Sequence, residues 1–111
     1  MAIEHKISYK EVEALVILRE PPAQSDIEIR SKIPNDQVLN ELLMILFMYP
    51  SHYAETRQIL SFEEARKIAA LECLTEDRVG RLEGLTVAQL AQKAEITEEF
   101  ASFRINLAKQ P

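Results

Sequence analysis

Residues 38–50 read VLNELLMILFMYP, and this stretch decides how the chain folds. From Leu42 to Tyr49 every residue is apolar or aromatic, whereas a helix with one solvated face carries polar residues every three or four positions. We therefore expect a core helix whose second half is enclosed by the protein or by a partner. Its candidate core residues are Leu42, Leu43, Ile45, Leu46 and Phe47. Asn35 is a typical N-cap, and Pro50 predicts the end of the helix.

Length and composition favour one ordinary globular domain over residues 1–111, with 47% hydrophobic and 28% charged residues. A net charge of −5 argues against an electrostatic nucleic-acid binder, and two glycines are too few for a phosphate-binding loop. The apolar run is shorter than the roughly 20 residues that cross a membrane. The first residues, MAIEHKISYK, contain no apolar export signal. We expect a cytoplasmic protein that is neither secreted nor membrane-bound.

The first 20 residues predict a β-hairpin. Apolar and aromatic residues alternate with polar ones along the first strand, and a second strand follows with one apolar face. The inward-facing residues are predicted to be Ile3, His5, Ile7, Tyr9, Val12, Ala14, Val16 and Leu18. Residues 9–11 would form the turn, although they lack the Asn-Gly signature of a tight hairpin. Pro21 and Pro22 end the second strand because neither can donate a ladder hydrogen bond.

Residues 25–109 predict a compact bundle of five to six short helices, so the fold class is α+β and mainly α. Each helix begins at a residue that commonly caps helices, often with an acidic residue three positions later. The predicted caps are Ser25 for a helix over 26–32, Ser61 with Glu64, Thr75 for a helix ending at Gly84, Thr86 and Thr97. Residues 51–60 predict one or two separate helical turns. Cys73 falls in an apolar helical pattern and is expected in the core.

Catalytic or metal-binding chemistry has no visible arrangement in the sequence. His5 and His52 fall in different elements, and neither has neighbours at metal-ligand spacing. The acidic pairs fall in first turns of predicted helices, where they interact favourably with the helix dipole. These pairs are Glu63-Glu64, Glu76-Asp77 and Glu98-Glu99. We expect a protein that is not an enzyme and that needs no cofactor.

Residues 86–109 resemble a helix-turn-helix, in which the second helix enters the major groove of DNA. The second helix would carry Ser102, Arg104 and Asn106, but its N-terminal residues are Glu98 and Glu99, which would face phosphates. Two helices joined by a short turn are also common in any helical domain. Nucleic-acid binding is therefore the weaker alternative, behind a small helical protein-protein interaction or adaptor module.

Two blocks of sequence resemble the phage tail assembly chaperones of Mu-like and P2-like tails. Residues 12–28 read VEALVILREPPAQSDIE and are similar to the opening strand and Leu-Arg-Glu-Pro signature of that family. Residues 70–103 are similar to its closing segment, although Glu72 and Cys73 stand where the family has a glycine. The residues that carry the resemblance most clearly are Leu18, Arg19, Glu20, Pro21, Asp26, Leu74, Thr75 and Leu82.

The resemblance implies a non-catalytic assembly factor that binds the tape measure protein, a long helical protein, until tail tube subunits polymerise around it. Helix-in-groove recognition needs an apolar groove, and methionine suits a surface that accepts varied helices. We expect partner contact at the end of the core helix and on the face of the last helix. The candidate partner-binding residues are Phe47, Met48, Tyr49, Phe100 and Phe103, all of which would otherwise be core. A homo-oligomer is also open.

Overall fold

The computed structural model describes residues 2–30 and 35–109 and shows an α+β fold that is mainly helical. Three strands come first: β1 (Ala2–Tyr9), β2 (Val12–Arg19) and β3 (Asp26–Ile29). The helices that follow are α1 (Asp36–Thr56), α2 (Phe62–Cys73), α3 (Glu76–Val79), α4 (Val87–Ala94) and α5 (Glu98–Lys109), with a 3-10 turn over Leu82–Gly84. No helix in these described ranges is both long and apolar enough to span a bilayer.

The predicted hairpin is confirmed. Strands β1 and β2 pair antiparallel from Ala2 opposite Arg19 to Tyr9 opposite Val12. The two turn residues, Lys10 and Glu11, have φ of 45° and 69°. Positive φ at both positions is what a two-residue turn needs to match the twist of the strands, so the turn forms without Asn-Gly. Every second residue, from Ile7 and Tyr9 on β1 to Val16 and Leu18 on β2, is buried beneath the helices.

The predicted helix over 26–32 is wrong, because residues 26–29 form a third strand. Strand β3 pairs antiparallel with β2, with Ile27 opposite Val16 and Ile29 opposite Ala14. Two isoleucines two positions apart share one face of a strand but not of a helix, and this period outweighs the capping signal at Ser25. The described helical part begins at Asp36; residues 31 and 32 lie outside the described residues.

Helix α1 runs six residues past Pro50, so the predicted end at that proline is wrong as well. Its start is as predicted, since the Asn35 side chain accepts hydrogen bonds from the backbone N–H groups of Gln37 and Val38. A proline inside a helix removes one backbone hydrogen bond. Here packing compensates, because Tyr49 and Tyr53 on either side of Pro50 are 3% and 7% exposed. The turns predicted separately after residue 50 are the last part of α1.

The later helices begin where their caps predict. The hydroxyl of Ser61 accepts from the backbone of Glu64, and Thr86 forms a full capping box with Gln89. The hydroxyl of Thr97 accepts from the backbone N–H of Phe100. One boundary is wrong: α3 ends at Val79, before Gly80, rather than continuing to Gly84.

Two clusters of buried side chains form the core. The first lies between the sheet, α1 and α2, and the second lies among the chain from α2 to α5. Fully buried members of the first include Val16, Leu18, Leu42, Ile45 and Leu46; those of the second include Leu90, Ile96 and Phe100. Met44 packs against both clusters and so joins them. Cys73, predicted in the core, is only half-buried, and Leu71 of the same helix is 39% exposed.

Candidate functional site

Phe47 is the most exposed large apolar side chain among the described residues. Its side chain is 62% exposed, although its neighbours Leu46 and Tyr49 are buried. Leu43, one helical turn earlier, is 46% exposed, so both lie on the outer face of α1. Of the two predicted ways of enclosing this run, the folded chain therefore does not cover Leu43 and Phe47, and for these two residues only the alternative of a partner stays open. An exposed phenylalanine on a core helix marks a surface that is available to a partner.

Phe47 borders a groove of about 440 Å³ between α1 and the β2–β3 loop. We call this feature the Phe47 groove. Helix α1 contributes Phe47, Pro50, Ser51, Tyr53 and Ala54, and the other wall consists of Arg19, the loop from Pro21 to Ser25, and Ile27. The surface is mostly apolar, and the small side chains of Ser51 and Ala54 lie where a partner backbone could approach closely.

The loop that forms the second wall is braced at its base. The guanidinium of Arg19, at the end of β2, forms a salt bridge of 2.6 Å with the carboxylate of Asp26, at the start of β3. Inside the loop, the backbone N–H of Ala23 donates to the carbonyl of Glu20 at 3.2 Å. The intervening Pro21–Pro22 peptide is cis. These contacts hold the prolines opposite α1.

The other candidate partner-binding residues are covered in the structure. Met48 is half-buried against the first core cluster, Tyr49 is 3% exposed, and Phe100 is fully buried. Phe103 is half-buried, and the guanidinium of Arg66 lies 4.2 Å from its ring centroid. The structure does not bring Phe103 into the Phe47 groove, because Phe103 packs against the second core cluster. Of the five candidates, only Phe47 presents a largely open surface.

The signature residues divide between core and groove. Leu18, Leu74 and Leu82 are core residues with exposures of 0%, 1% and 7%. Thr75 is the N-cap of α3 but makes no side-chain capping hydrogen bond. The first block reaches the Phe47 groove, where Arg19 and Pro21 line the wall, Asp26 braces Arg19 and Glu20 lies at the loop's base. The first block and Phe47, which are about 30 residues apart in sequence, thus meet at one surface.

Comparisons with known proteins add nothing to this surface: no protein-family model, no curated protein and no solved structure matches the chain. The family resemblance consequently depends on the two quoted blocks alone.

The described residues contain no group of three or more His, Cys, Asp or Glu side chains that could bind a metal ion. The only cysteine in the sequence is a poor nucleophile, because burial raises the pKa of the Cys73 thiol and keeps it protonated. The Phe47 groove offers hydroxyls and apolar surface rather than paired acid and base groups.

The helix-turn-helix alternative loses its basic candidate for contacting DNA, Arg104. Helices α4 and α5 do form, but Arg104 is 7% exposed and its Nε donates to the backbone carbonyl of Leu74 at 3.0 Å. At the start of α5, Glu99 forms salt bridges with Lys10 and Arg66. Helix α5 therefore packs into the core through Phe100. Arg104, the buried cation of α5, is hydrogen-bonded to the backbone within the described part of the chain.

Sequence reasoning found Phe47 but not the groove around it. The missed contributors include Pro22, Ile27, Ser51 and Ala54. A signal for the helix side was present, since positions 43, 47, 51 and 54 recur at helical spacing, with two large apolar residues followed by two small ones. The loop side had no such signal, because it depends on β3 pairing with β2 and on the salt bridge that closes the loop.

Proposed function

We propose that this chain is a non-catalytic assembly chaperone that binds a long helical protein of the tape measure type in the Phe47 groove, in the cytoplasm, during phage tail assembly. One observation carries the proposal. A phenylalanine with 62% exposure lies in an apolar groove whose other wall includes the Arg19–Pro21 segment of the family signature. Part of the first block of the resemblance and the exposed apolar surface thus meet in one groove.

A helix is the partner shape that this groove suits. Leu43 and Phe47 provide large apolar contacts one turn apart, and Ser51 and Ala54 continue the same face with small side chains. A helix that packs against such a face buries its own apolar stripe and lets the backbones approach. The only charged residue in the groove wall, Arg19, is already paired with Asp26. Recognition would consequently be apolar and tolerant of partner sequence.

The remaining surface suits a protein that holds an aggregation-prone partner. The chain carries a net charge of −5, and such an excess of one sign keeps a protein soluble and resists precipitation at high concentration. The groove faces away from the core, so a partner can bind and leave without unfolding the chain.

The test is co-expression of this chain with the longest coiled-coil protein encoded beside it, followed by a pull-down at about 150 mM salt. We expect the partner to become soluble and to co-purify with the wild-type chain. A wild-type chain that neither solubilises nor retains this partner contradicts the chaperone function. Capture of a compact globular protein instead would favour the adaptor alternative.

Phe47→Asp tests whether the groove is the binding surface. Because Phe47 is mostly exposed, the variant should fold normally and lose at least about tenfold in partner retention. Leu71→Asp is the matched control: Leu71 is 39% exposed on α2 and does not line the groove. Equal retention by the two variants would place partner contact elsewhere, while the chaperone function itself would stand.

A further inference from the structure

Strand β1 is an edge strand whose backbone is open to pairing. Among the described residues the sheet order is β1-β2-β3, so β1 pairs with β2 on one side only. The side chains of Ala2, Glu4, Lys6 and Ser8 are all exposed. Eight residues make a long edge, and natural sheets usually protect such an edge with charges or prolines.

The register shows which backbone groups of β1 point outward. The backbone N–H of Arg30 donates to the carbonyl of Glu13 at 2.7 Å, so the odd-numbered residues of β2 bond towards β3. Hydrogen-bonding directions alternate along a strand, so the even-numbered residues of β2 bond to β1. Their partners on β1 are the odd-numbered residues, as in Ile7 opposite Ala14. The even-numbered residues of β1 therefore present unpaired backbone groups at the edge.

We propose that β1 pairs antiparallel with β1 of a second copy of this chain, about a two-fold axis at His5. In this register Glu4 of each copy faces Lys6 of the other, and Ala2 faces Ser8. All four of these residues carry outward-pointing backbone groups, so the two ladders match without a bulge. The result is a continuous six-stranded sheet.

The charges of Glu4 and Lys6 favour this register, and they favour a second copy of the chain as the partner of β1. Moving one strand by two residues in one direction would place Lys6 opposite Lys6. Moving it by two residues in the other direction would place Glu4 opposite Glu4. Like charges directly opposite each other destabilise a strand pair, whereas opposite charges stabilise it. On the other face of the sheet, Ile3 of each copy would meet Ile7 of the other. Glu4 and Lys6 thus block most pairings at this edge but complement their own symmetry mates.

The dimer leaves the Phe47 groove free. The groove is bordered by Ile27 of β3, and β3 is the opposite edge of the sheet from β1. Two grooves on one dimer would bind two segments of a single long partner with higher avidity than one groove. The dimer does not depend on the proposed chaperone function, and its failure would leave that function untouched.

Sedimentation velocity over a range of concentrations tests the pairing. We expect a reversible dimer for the wild-type chain, and Glu4→Lys or Lys6→Glu should each raise the dissociation constant at least about tenfold, because symmetry makes each reversal alter two cross-strand pairs. The double variant should dimerise again. The two single variants, when mixed, should form a heterodimer, since lysines then face glutamates at both positions.

Glu13→Lys is the matched control for Glu4→Lys, because it makes the same change in net charge at an exposed site on β2 and should leave the dimer unchanged. Circular dichroism establishes that every variant is folded. A wild-type chain that stays monomeric at its highest attainable concentration overturns the proposal. So does a dimer that survives both single reversals, or single reversals that dissociate it without rescue by the double variant or by mixing.

Discussion

The carboxylate of Glu41, which is completely buried in α1, accepts a hydrogen bond of 2.7 Å from the backbone N–H of Thr97 at the start of α5. The hydroxyl of Thr97 donates to the same oxygen. The other carboxylate oxygen accepts from the hydroxyl of Tyr9 at 2.9 Å and lies 3.6 Å from the Nζ of Lys10. One buried acid thus connects the tip of the hairpin to the helices that surround the second core cluster.

Removing the Glu41 carboxylate should strongly destabilise the fold. Glu41→Ala leaves the buried Tyr9 hydroxyl and the part-buried Thr97 N–H without their acceptor, and loss of one partner from a buried charge network costs about 3–5 kcal/mol. Urea unfolding monitored by circular dichroism measures the change in the free energy of unfolding. Glu55→Ala, at an exposed position on the same helix, is the control and should cost less than about 0.5 kcal/mol. A Glu41→Ala variant as stable as that control would refute the structural role of the network.

The salt bridge between Glu99 and Lys10, 3.0 Å long, should make part of the stability pH-dependent. The hydrogen bond from Lys10 lowers the pKa of the Glu99 carboxyl below its ordinary value, against a smaller opposing effect of burial. Glu99 therefore binds fewer protons when folded than when unfolded, so its contribution is present above the unfolded pKa and is lost as pH falls through the folded pKa. Glu99 is 64% exposed, which limits the contribution to less than about 1 kcal/mol.

Lys10 stays protonated at acidic pH, so it does not contribute to the change in stability there. Burial lowers the pKa of Lys10, but the hydrogen bond to Glu99 and the charge of Glu41 outweigh it, so the pKa lies above its ordinary value. The contribution of Lys10 to stability is lost only as pH rises through its raised, folded-state pKa. The wild-type chain and Glu99→Gln should therefore differ in unfolding free energy at neutral pH and converge in acid. A difference that widens as pH falls contradicts this assignment.

Truncation of two adjacent residues on α1 should change the free energy of unfolding by very different amounts. Leu46 is fully buried and Phe47 is 62% exposed. Leu46→Ala creates a cavity and should reduce the free energy of unfolding by about 2–5 kcal/mol, whereas Phe47→Ala should change it by less than about 0.5 kcal/mol. Urea unfolding of both variants gives the comparison. Similar losses for the two would mean that Phe47 packs in the core and that the groove is closed in solution.

Local patterns predicted much of this fold. The alternation from Ile3 to Tyr9 is a property of a few consecutive residues, and so are the cap pairs at Ser61 and Thr86. Each depends on contacts within one strand or one helical turn, which the order of residues specifies directly. The hairpin, the sites where most helices start and the mainly helical class follow from such contacts.

The errors arose where distant contacts outweigh a local signal. Ser25 begins a capping pattern, yet the chain that follows pairs with β2 because Ile27 and Ile29 complete the face of the sheet. Pro50 is a helix breaker, yet α1 continues beyond it because the burial of Tyr53 stabilises the last turns. No local pattern around Glu41 predicts that it is buried. Only the approach of Tyr9 and Thr97, from both ends of the chain, makes it the centre of a buried network.

The candidate site was half predictable for the same reason. The apolar run on α1 identifies Phe47 as either core or interface, and no pattern within the run distinguishes the two. Its exposure depends on how far the β2–β3 loop extends across α1, and this depends on the pairing of β3 with β2 rather than on any pattern within the run. The charge pair on β1 is visible in the sequence, since Glu4 and Lys6 are neighbours on one strand face. Whether these residues can pair with a second copy depends on the hydrogen-bonding direction of β2.

The two glycines should differ sharply in their tolerance of alanine. Gly80 follows α3 with φ of +89°, in the left-handed region, and a Cβ built there would lie 3.3 Å from the Nζ of Lys93, which donates to the carbonyl of Val79. Gly80→Ala should therefore lower the free energy of unfolding by about 1–2 kcal/mol. A Cβ on Gly84 meets nothing within 4 Å, and Gly84→Ala should be neutral or stabilising by up to about 1 kcal/mol. Thermal unfolding of the two variants compares them directly. Equal melting temperatures would show that the turn after α3 does not require a left-handed residue.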